Sequence, residues 1–509
     1  MFLTIAVLFP AFIGIIIAFL TYLFTPPSSF ATSLPTIPFY YTLLPLINQT
    51  FKRPLTSQVT LYKEYLSTPL TSHGAVKLFF GGRWNILITK PSYIAEVFKN
   101  EDLYAKSGNQ KKIPHGVLAQ YTGDNIISSH GNIWRLYTSV FKPGLQRDYE
   151  PAGVSKNAGK LVDLVRSEMK GRGWVDVNPL MQRYALANLS EVLLGSTFGT
   201  MEKPNAPLHA FQLRIKPKIF DPIFLNFPVL DYLPLSTRRE ARKLVSEFTD
   251  ELVNTVRKGH TACEHEKDHT TTLGCRLLHA YESGTFTETQ LRHNMISAFL
   301  AGHENPQLLL ISSLFLLADH PELQQSLRLE VSSVLDRDAP EPAYGDLSSL
   351  PLLTSVIYEV LRLYPPISQL INRRTTAPAL LGGSIPIPAG TYVGYNAYAT
   401  NRDVDFWGPD AEEFQPSRWG RTMEEINSLF RRANAKGAFI SFHGGRRACL
   451  GQRFALMEGR VTLARLLKEF QWEVDPSWER GMTPAGPLYA RNLRLRFFEL
   501  NGGNKTATM

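Results

Sequence analysis

One ten-residue stretch with a single cysteine constrains this chain more than any other part of its sequence. Residues 442–451 read F-H-G-G-R-R-A-C-L-G, and a helix-like segment, 452–467, follows at once. The first turn of a helix presents free N–H groups and the positive end of the helix dipole. Together with the positive charge of Arg446 and Arg447, this setting is expected to stabilise a thiolate over a thiol at Cys449.

The glycines and the cysteine of this stretch suit a flat, iron-containing ligand. Glycine lets the backbone approach a planar partner closely, and a thiolate is one of the axial ligands that proteins give to haem iron. The pattern F-x-x-G-x-R-x-C-x-G is met at Phe442, Gly445, Arg447, Cys449 and Gly451. In this pattern the chain resembles the cytochrome P450 family of haem-thiolate monooxygenases. The alternative interpretation is a free cysteine buried as a small apolar side chain after a glycine turn.

The resemblance implies a mainly α-helical domain with small β-sheets, an α+β fold of the cytochrome P450 type, over residues 51–500. Hydrophobic residues make up 44 % of the 509 residues, which suffices for a large core. The three cysteines form no disulfide framework and indicate a reducing compartment. The net charge of +9 favours an anionic membrane or an acidic redox partner. No nucleic-acid motif accompanies this charge, so no nucleic-acid partner is expected.

The N-terminus carries an apolar segment long enough to span a membrane. Residues 2–24 contain no charge, and a helix needs about 20 such residues to cross a bilayer. A cleaved signal peptide is the competing interpretation, but the apolar part is too long for one and no basic region precedes it. We therefore expect a transmembrane anchor over 2–24, a proline-containing hinge over 25–50 and a disordered tail over 501–509.

The orientation of the anchor follows from the charges beyond it. Lys52 and Arg53 are the first basic residues, and they favour a cytosolic C-terminal side. The resemblance implies the same arrangement, a single-pass anchor in the membrane of the endoplasmic reticulum with the catalytic domain in the cytosol. Membrane lipid is therefore an expected partner.

A long, mostly apolar helical segment over 287–317 carries a second match. Its middle reads A-G-H-E-N-P, and the distal helix of the family carries A-G-x-[D/E]-T. There a kink opens a groove for dioxygen and an acid–alcohol pair delivers protons. Ala301, Gly302 and Glu304 match this pattern, whereas Asn305 replaces the threonine. A carboxamide orients water but cannot relay a proton as a hydroxyl does, so protons are expected to pass through Glu304 and water, or through a hydroxyl of the substrate. The proline after Asn305 is expected to strengthen the kink.

A third match concerns a structural charge network. Glu359 and Arg362 lie at helical i, i+3 spacing, which places both on one face. Residues 414–419 read F-Q-P-S-R-W and resemble the partner segment of the family, F-x-P-x-R-[F/W]. The resemblance implies that Glu359, Arg362 and Arg418 form a buried network that stabilises the core beneath the haem.

The resemblance implies haem b, iron protoporphyrin IX, with Cys449 as its proximal iron ligand. In this family a tryptophan and an arginine four residues later hold a haem carboxylate. Trp134 matches the tryptophan and Arg135 follows it, but Thr138 occupies the position of the later arginine. The residues expected around the haem carboxylates are Trp134, Arg135, Arg447 and one of the pair Arg373 and Arg374.

Several mostly apolar segments are expected to line the substrate pocket, namely 118–132, 217–235, 294–305, 367–372 and 483–488. Segment 217–235, rich in proline and aromatic residues, fits a lid over the entrance or a loop packed on the core. The polar anchors expected for the substrate are Asn125, Asn294, His303, Gln369 and Asn372. Residues 260–275 hold three histidines and two cysteines, but their spacing matches no zinc template, so a polar linker is predicted. Two strands are expected over 76–89 and a C-terminal hairpin over 481–500.

The resemblance therefore implies a monooxygenase that uses O2 and two electrons from an NADPH-cytochrome P450 reductase to oxidise a medium-sized organic molecule. The A-G-H-E-N-P form is similar to fungal members, which suggests fungal secondary metabolism and an amino-acid or peptide-derived substrate. One alternative is a reductase-independent isomerase or dehydratase that rearranges a peroxide, and another is a non-enzymatic haem sensor. The residues expected to dock an acidic reductase are Arg431, Arg432, Lys436, Arg446, Arg453 and Arg460.

Overall fold

Helices dominate the described part of the chain. The structure is a computed structural model and describes residues 13–14, 17–44, 57–263, 272–334 and 344–500. The longer α-helices are α1 (Pro91–Lys99), α2 (Gly131–Leu145), α3 (Ala152–Arg172), α4 (Val177–Asn188), α5 (Pro207–Ile219), α6 (Ser236–Cys263), α7 (Leu273–Glu282), α8 (Glu288–Ala318), α9 (Pro321–Ser332), α10 (Pro351–Leu363), α11 (Met423–Ala435) and α12 (Gln452–Glu469).

Short helical segments connect these helices. The short α-helices are Gln58–Leu61, Ser67–His73, Asn109–Lys112, Val117–Thr122, Pro222–Asn226, Tyr344–Ser348, Ala397–Thr400 and Val404–Trp407. The π-helical turns are Tyr62–Leu66 and Leu189–Leu193, and the 3₁₀ turns are Pro228–Tyr232, Pro416–Trp419 and Gly445–Arg447. Helical turns therefore occupy much of the segment 217–235.

The strands form three small sheets. They are β1 (Ala75–Phe80), β2 (Arg83–Ile88), β3 (Tyr104–Lys106), β4 (Val175–Asp176), β5 (Gln369–Thr375), β6 (Ala379–Leu381), β7 (Ile385–Ile387), β8 (Tyr392–Asn396), β9 (Phe470–Val474) and β10 (Arg494–Glu499). The five-stranded sheet has the order β1-β2-β8-β5-β3, the three-stranded sheet β4-β10-β9, and the third pairs β6 with β7. Only β2 and β8 pair in parallel among these strands. The expected mainly helical fold with small sheets is confirmed.

Helix α8 runs through the main hydrophobic core. Its first turn is closed by a capping box, in which Thr287 and Gln290 each accept the backbone N–H of the other. Every residue of 308–318 is buried, and the helix as a whole packs against α4, α7, α10 and α12. The helix continues without a break through Pro306. The kink expected at Pro306 does not break the helix. The proline removes only one backbone N–H donor, because packing on all sides supports the helix.

The C-terminal region differs from the expected hairpin over 481–500. Strand β10 pairs with β9, in the register Leu495 to Val474, and with the short β4. Within the loop between β9 and β10, only the bridge from Met482 to Ala490 pairs the backbone in a strand-like way. The prediction of a strand at the C-terminus is therefore right, but its partner strand lies before residue 481.

The N-terminal segment lies against the first sheet as far as it is described. Residues 17–24 are helical, and the backbone oxygen of Tyr22 accepts the indole N–H of Trp84 at 2.8 Å. The backbones of Pro35 and Ile37 both bond to Lys77 of β1. Residues 2–12 and 15–16 of the predicted anchor, and the whole predicted tail 501–509, lie outside the described residues. Within the described residues, no helix has the length and apolar character needed to cross a membrane.

Candidate active site

A cavity of about 580 Å³ lies between α8 and the cysteine loop, residues 442–451. Ala301, Gly302 and Asn305 of α8 line it together with Cys449. Most of the other lining side chains are apolar, among them Ile126, Leu193, Phe141, Ile367 and Leu370. The structure thus brings two of the three sequence matches, separated by nearly 150 residues along the chain, to one enclosed space.

The cysteine loop is held by its own backbone and by α1. The N–H of Cys449 donates to the backbone oxygen of Phe442 at 2.9 Å, which closes the loop. Gly445 has a φ of 63°, and a Cβ there would lie 2.7 Å from the backbone oxygen of Phe98. Both the left-handed backbone and the close approach to α1 exclude a side chain at this position. Gly451 precedes α12 and completes the pattern.

Cys449 faces the cavity, where its sulfur is accessible. Burial within the protein raises the pKa of the Cys449 thiol, although the backbone N–H groups of Gly451 and Gln452 act in the opposite direction. The expected stabilisation of the thiolate by the helix terminus and the two arginines is therefore right in part only. The N–H groups at the helix terminus lower the pKa of Cys449 as expected, but burial raises it by more. The two arginines pair with Asp102 and Glu101 instead. Binding to a metal ion would deprotonate the thiol.

A buried carboxylate lies beside the cysteine loop and binds two arginines. The side chain of Glu101 is 3 % exposed and accepts from Arg447 through Oε1 at 2.9 Å and from Arg373 through Oε2 at 2.7 Å. Arg447 also donates to the backbone oxygens of Ser129 and Ile126, and its guanidinium lies 4.6 Å from the ring centre of Trp134. Arg447 thereby fixes the loop 126–129 at the edge of the cavity.

Of the four other residues predicted around the haem carboxylates, two lie at or beside the cavity and two lie at the surface. Trp134 lines the cavity, whereas Arg135 is exposed and donates to Asn132. Arg373 is buried on Glu101, whereas Arg374 is directed to the backbone oxygen of Gly390 at the surface. A bulge between Ile371 and Arg373 in the pairing of β5 with β8 sets which arginine points inward.

The predicted acid of the distal helix is engaged with α5. Oε1 of Glu304 lies 2.7 Å from Nζ of Lys216. Burial alone would raise the pKa of Glu304, but Lys216 and His303 outweigh it and the pKa is lowered. Glu304 is thus a carboxylate at neutral pH. It is not among the lining residues, whereas its neighbour Asn305 is.

Gly302 permits a close approach of the π-helical turn Leu189–Leu193. A Cβ at Gly302 would lie only 2.6 Å from Cδ1 of Leu189. A larger side chain would therefore push α8 away from this turn. Glycine at position 302 therefore serves the packing of α8 in this chain, apart from any effect on dioxygen.

The three residues of the predicted charge network meet in the core. Arg362 donates to both carboxylate oxygens of Glu359 at 2.8 Å, and Nε of Arg418 lies 2.9 Å from Oε1 of the same carboxylate. Glu359 and Arg362 have fully buried side chains. The indole N–H of Trp419 and the backbone N–H of Gln415 also donate to Glu359. The network joins α10 to the segment before the cysteine loop.

The polar anchors expected for the substrate, Asn125, Asn294, His303, Gln369 and Asn372, are not among the side chains that line this cavity, and they stay a prediction. Asn125 and Asn294 hold the loop 122–128 through backbone bonds, and Nε2 of His303 contacts Gln212 on α5. Gln369 contacts Asn396. The loop 483–488 does not line the cavity either. The polar side chains that do are Lys106, Thr138, Lys142, Gln146, Ser297, Asn305, Ser441, His443, Arg446 and Arg447.

The cavity fits a flat anionic ligand with a metal at its centre. Its wall offers one sulfur, from Cys449, and a buried amine, from Lys106, that donates no hydrogen bond within the described residues. An unpartnered buried amine calls for an anion. Cys449 and the surrounding apolar side chains are therefore suited to hold an iron porphyrin with carboxylate groups.

Comparison with known proteins decides the family. The sequence model described as Cytochrome P450 matches residues 38–492. The chain belongs to the cytochrome P450 family. It is 44 % identical over 476 residues to Cytochrome P450-DIT2 of Saccharomyces cerevisiae, with 93 % of this chain and 94 % of the yeast protein covered. It is 42 % identical over 468 residues to Cytochrome P450 monooxygenase xanG of Aspergillus fumigatus, with 89 % and 84 % covered.

Membership of the cytochrome P450 family makes the chain an oxidoreductase of the monooxygenase class. It implies a haem iron cofactor, O2, an organic substrate and a redox partner. More distant members include the 11-oxo-beta-amyrin 30-oxidase of Medicago truncatula, 26 % identical with 82 % of this chain and 78 % of the plant enzyme covered.

Sequence reasoning missed two residues of this cytochrome P450 site, Glu101 and Lys106. Lys106 ends β3 in direct register with Arg373 of β5, so two cations face each other in a buried sheet. Like charges in that arrangement are unfavourable without an anion between them. The local sequence Y-A-K-S carried no signal of this, because the pairing of β3 with a strand 270 residues later creates the contact.

Proposed function

We propose that this chain is a haem b monooxygenase with Cys449 as the iron ligand, supplied with electrons by an NADPH-cytochrome P450 reductase. The observation that carries the proposal is one cavity lined both by Cys449 and by Ala301, Gly302 and Asn305 of α8. Haem with a thiolate ligand supplies the activation of dioxygen when it is bound. The protein contributes position, charge and the exclusion of water.

The residues on the α8 side provide the polar groups for proton handling. The side chain of Asn305 lines the cavity and can orient water through its amide. Glu304 is held as a carboxylate by Lys216 behind the cavity wall. Because Glu304 does not line the cavity, a proton from it must pass through water or through Asn305-bound solvent. This arrangement differs from a direct acid–alcohol pair.

The lining of the cavity favours a medium-sized, mostly apolar substrate with a few polar groups. Ile367 and Leu370 supply apolar surface, and Ser297 and Asn305 supply hydroxyl and amide groups on α8. The A-G-H-E-N-P sequence, which is similar to fungal members, supports an amino-acid or peptide-derived molecule. We place the reaction in fungal secondary metabolism on the same grounds.

The exposed basic residues near the cysteine loop support docking of an acidic reductase. Arg431, Arg432 and Lys436 lie at or just beyond the end of α11, and all three are exposed. Arg446 and Arg453 flank Cys449 and are also exposed. Arg460, which was expected to belong to this surface, is 5 % exposed and contacts Thr354 instead. Its inclusion was wrong, since position 460 lies on the buried face of α12.

A membrane location is part of the proposal. Residues 2–24 carry no charge and are mostly apolar, and described residues within this segment, including Ile17, Phe19 and Leu20, are exposed. Exposed apolar side chains in a row favour contact with lipid. We propose a single-pass anchor at the endoplasmic reticulum with the catalytic domain in the cytosol.

The test is the carbon monoxide difference spectrum of the reduced protein, compared with Cys449→Ala. Wild type is expected to show a band at roughly 450 nm that the variant lacks, because only thiolate ligation produces it. Haem-loaded wild type without the band would overturn the proposal. NADPH consumption with and without reductase, in the presence of a panel of amino-acid and peptide derivatives, then tests the reaction. Turnover of an organic peroxide without reductase would support the isomerase or dehydratase alternative, which the absence of a threonine at 305 permits and the retained Glu304 opposes.

A further inference from the structure

Three cationic side chains lie around one aromatic ring at one end of the five-stranded sheet. The guanidinium of Arg83 lies 4.9 Å from the ring centre of Tyr392, Nζ of Lys112 lies 5.3 Å from it, and the guanidinium of Arg374 lies 5.9 Å from it. Arg83 and Tyr392 begin the parallel strands β2 and β8, and Arg374 of β5 pairs with Tyr392. The fold thus collects cations from three distant parts of the chain, and we call these four residues the Tyr392 cluster.

None of these three cations is paired with a carboxylate of the described residues. Arg83 donates to the backbone oxygen of Lys112, and Arg374 donates to that of Gly390. Nε of Arg83 is buried and has no hydrogen-bond partner among the described residues. Lys112 is 5 % exposed, and burial together with the charge of Arg83 lowers the pKa of Lys112 to about 7. Positive groups gathered in this way without an acid are stabilised when an anion binds among them.

A second, smaller cavity of about 250 Å³ opens beside the Tyr392 cluster. Arg83 and Tyr392 line it, together with the loop 388–391. Arg374 lies against this loop, since a Cβ at Gly390 would be only 3.1 Å from its Nη2. An anion in this cavity would therefore meet Arg83 at the wall and Arg374 at the rim.

The N-terminal apolar segment joins the sheet at this same cavity. Tyr22 lines the cavity, its hydroxyl donates to the backbone oxygen of Gly82 at 2.8 Å, and its own backbone oxygen accepts the indole N–H of Trp84. Phe24 and Phe80 nearby in the chain are exposed. Tyrosine and tryptophan with one apolar and one polar end favour the headgroup level of a bilayer. The anion available at that level is the phosphate of a phospholipid.

We propose that the Tyr392 cluster binds the phosphate of an anionic phospholipid. The planar guanidinium groups of Arg83 and Arg374 match the oxygens of a phosphate, and Lys112 adds positive charge behind them. A headgroup that also carries an ammonium binds less well, because that ammonium meets the three cations. The inference rests on the membrane location proposed above and adds a headgroup site to it. A headgroup held here, beside the anchor, gives the catalytic domain a second attachment to the bilayer.

The test is calorimetric titration of the full-length protein, kept in a non-ionic detergent, with short-chain phospholipids. Dioctanoylphosphatidylglycerol should bind at least about ten-fold more tightly than dioctanoylphosphatidylcholine, which has the same phosphodiester but adds an ammonium. Arg83→Met and Arg374→Met should each weaken the binding of phosphatidylglycerol by about five-fold or more. Lys90→Met is the matched control, because Nζ of Lys90 also lies over a tyrosine ring, 5.4 Å from the centre of Tyr93. This variant should bind phosphatidylglycerol like wild type.

Three results would overturn the inference. One is equal affinity of wild type for phosphatidylglycerol and phosphatidylcholine. Another is wild-type affinity for phosphatidylglycerol in Arg374→Met, and this exposed position decides the matter even if Arg83→Met does not fold. The last is inorganic phosphate that binds as tightly as phosphatidylglycerol, since the site would then belong to free phosphate.

Flotation of the full-length protein with phosphatidylcholine vesicles separates this inference from the proposed membrane location. Protein that floats but shows no preference for phosphatidylglycerol refutes the headgroup site alone. Protein that stays at the bottom of the gradient refutes the membrane location as well. The band at roughly 450 nm is independent of both results, because the Tyr392 cluster does not line the cavity that contains Cys449.

Discussion

Nζ of Lys216 on α5 lies 2.7 Å from Oε1 of Glu304 on α8. One turn earlier on α5, Nε2 of Gln212 lies 3.0 Å from Nε2 of the buried His303. Two successive residues of the distal helix are thus tied to two residues of one overlying helix. Glu304, the predicted proton-delivering acid, therefore also makes a structural contact. Its protonation should consequently change the free energy of unfolding.

Lys216→Met should destabilise the protein at neutral pH and not at acidic pH. The lowered pKa of Glu304 contributes stability that is present above the unfolded pKa of about 4.3 and is lost as the pH falls through the folded pKa. Because Lys216 is partly exposed, we expect a loss of about 1 kcal/mol near pH 7. Urea unfolding at about pH 7 and at about pH 2.5, below the lowered folded pKa of Glu304, checks this. Lys218→Met, which breaks the exposed pair with Glu240, is the control, and an equal loss at both ends of the pH range would contradict the prediction.

Glu359→Gln should unfold the protein far more readily than a comparable surface change. The variant leaves Arg362 and Arg418 without a countercharge in the core, and breaking a buried pair in this way costs about 3 to 5 kcal/mol. Glu247→Gln removes the partner of the exposed Lys243 on α6 and should change stability by less than about 0.5 kcal/mol. Chemical denaturation of both variants measures the difference, and similar values would rule out a structural network at Glu359.

Gly445→Ala should disrupt the cysteine loop. The new Cβ would combine a left-handed φ of 63° with a contact of 2.7 Å to the backbone oxygen of Phe98. Gly284→Ala is the matched control, because its φ is 74° and the space around it is open. We expect the control to lower the free energy of unfolding by about 1 kcal/mol and Gly445→Ala to lower it by clearly more, since backbone strain and steric overlap add. Thermal unfolding and the carbon monoxide spectrum report the result, and equal losses would mean that the contact with Phe98 is unimportant.

Asn305→Leu should uncouple electron consumption from product formation. The amide of Asn305 is a polar group of α8 that lines the cavity and can orient a water molecule, and loss of a water positioned to donate a proton lowers a rate by about ten-fold or more. Product and hydrogen peroxide are measured per NADPH in the presence of reductase. Ser297→Ala, another polar lining residue of α8, should keep its coupling. Wild-type coupling in Asn305→Leu would show that Asn305 does not orient the water that delivers protons.

Much of the site was predictable because its patterns are local. The pattern from Phe442 to Gly451 needs one loop and one helix start, and the pair Glu359 and Arg362 needs only helical spacing. The contact of Glu359 and Arg362 with Arg418 was predicted from the family resemblance. The pKa of Cys449 was not predictable from its neighbours in sequence, because burial by distant residues outweighs the helix terminus.

The sequence by itself determined the family, the predominance of helices and the identity of the cysteine, since these depend on residue types at short spacings. The tertiary structure decided which of Arg373 and Arg374 points inward, because a bulge in β5 sets the side of the sheet on which each lies. It also placed Lys106 and Glu101 beside Arg447, and Lys216 on Glu304. These are charge contacts between segments far apart in the chain, and their energies depend on distance and burial, which no local pattern specifies.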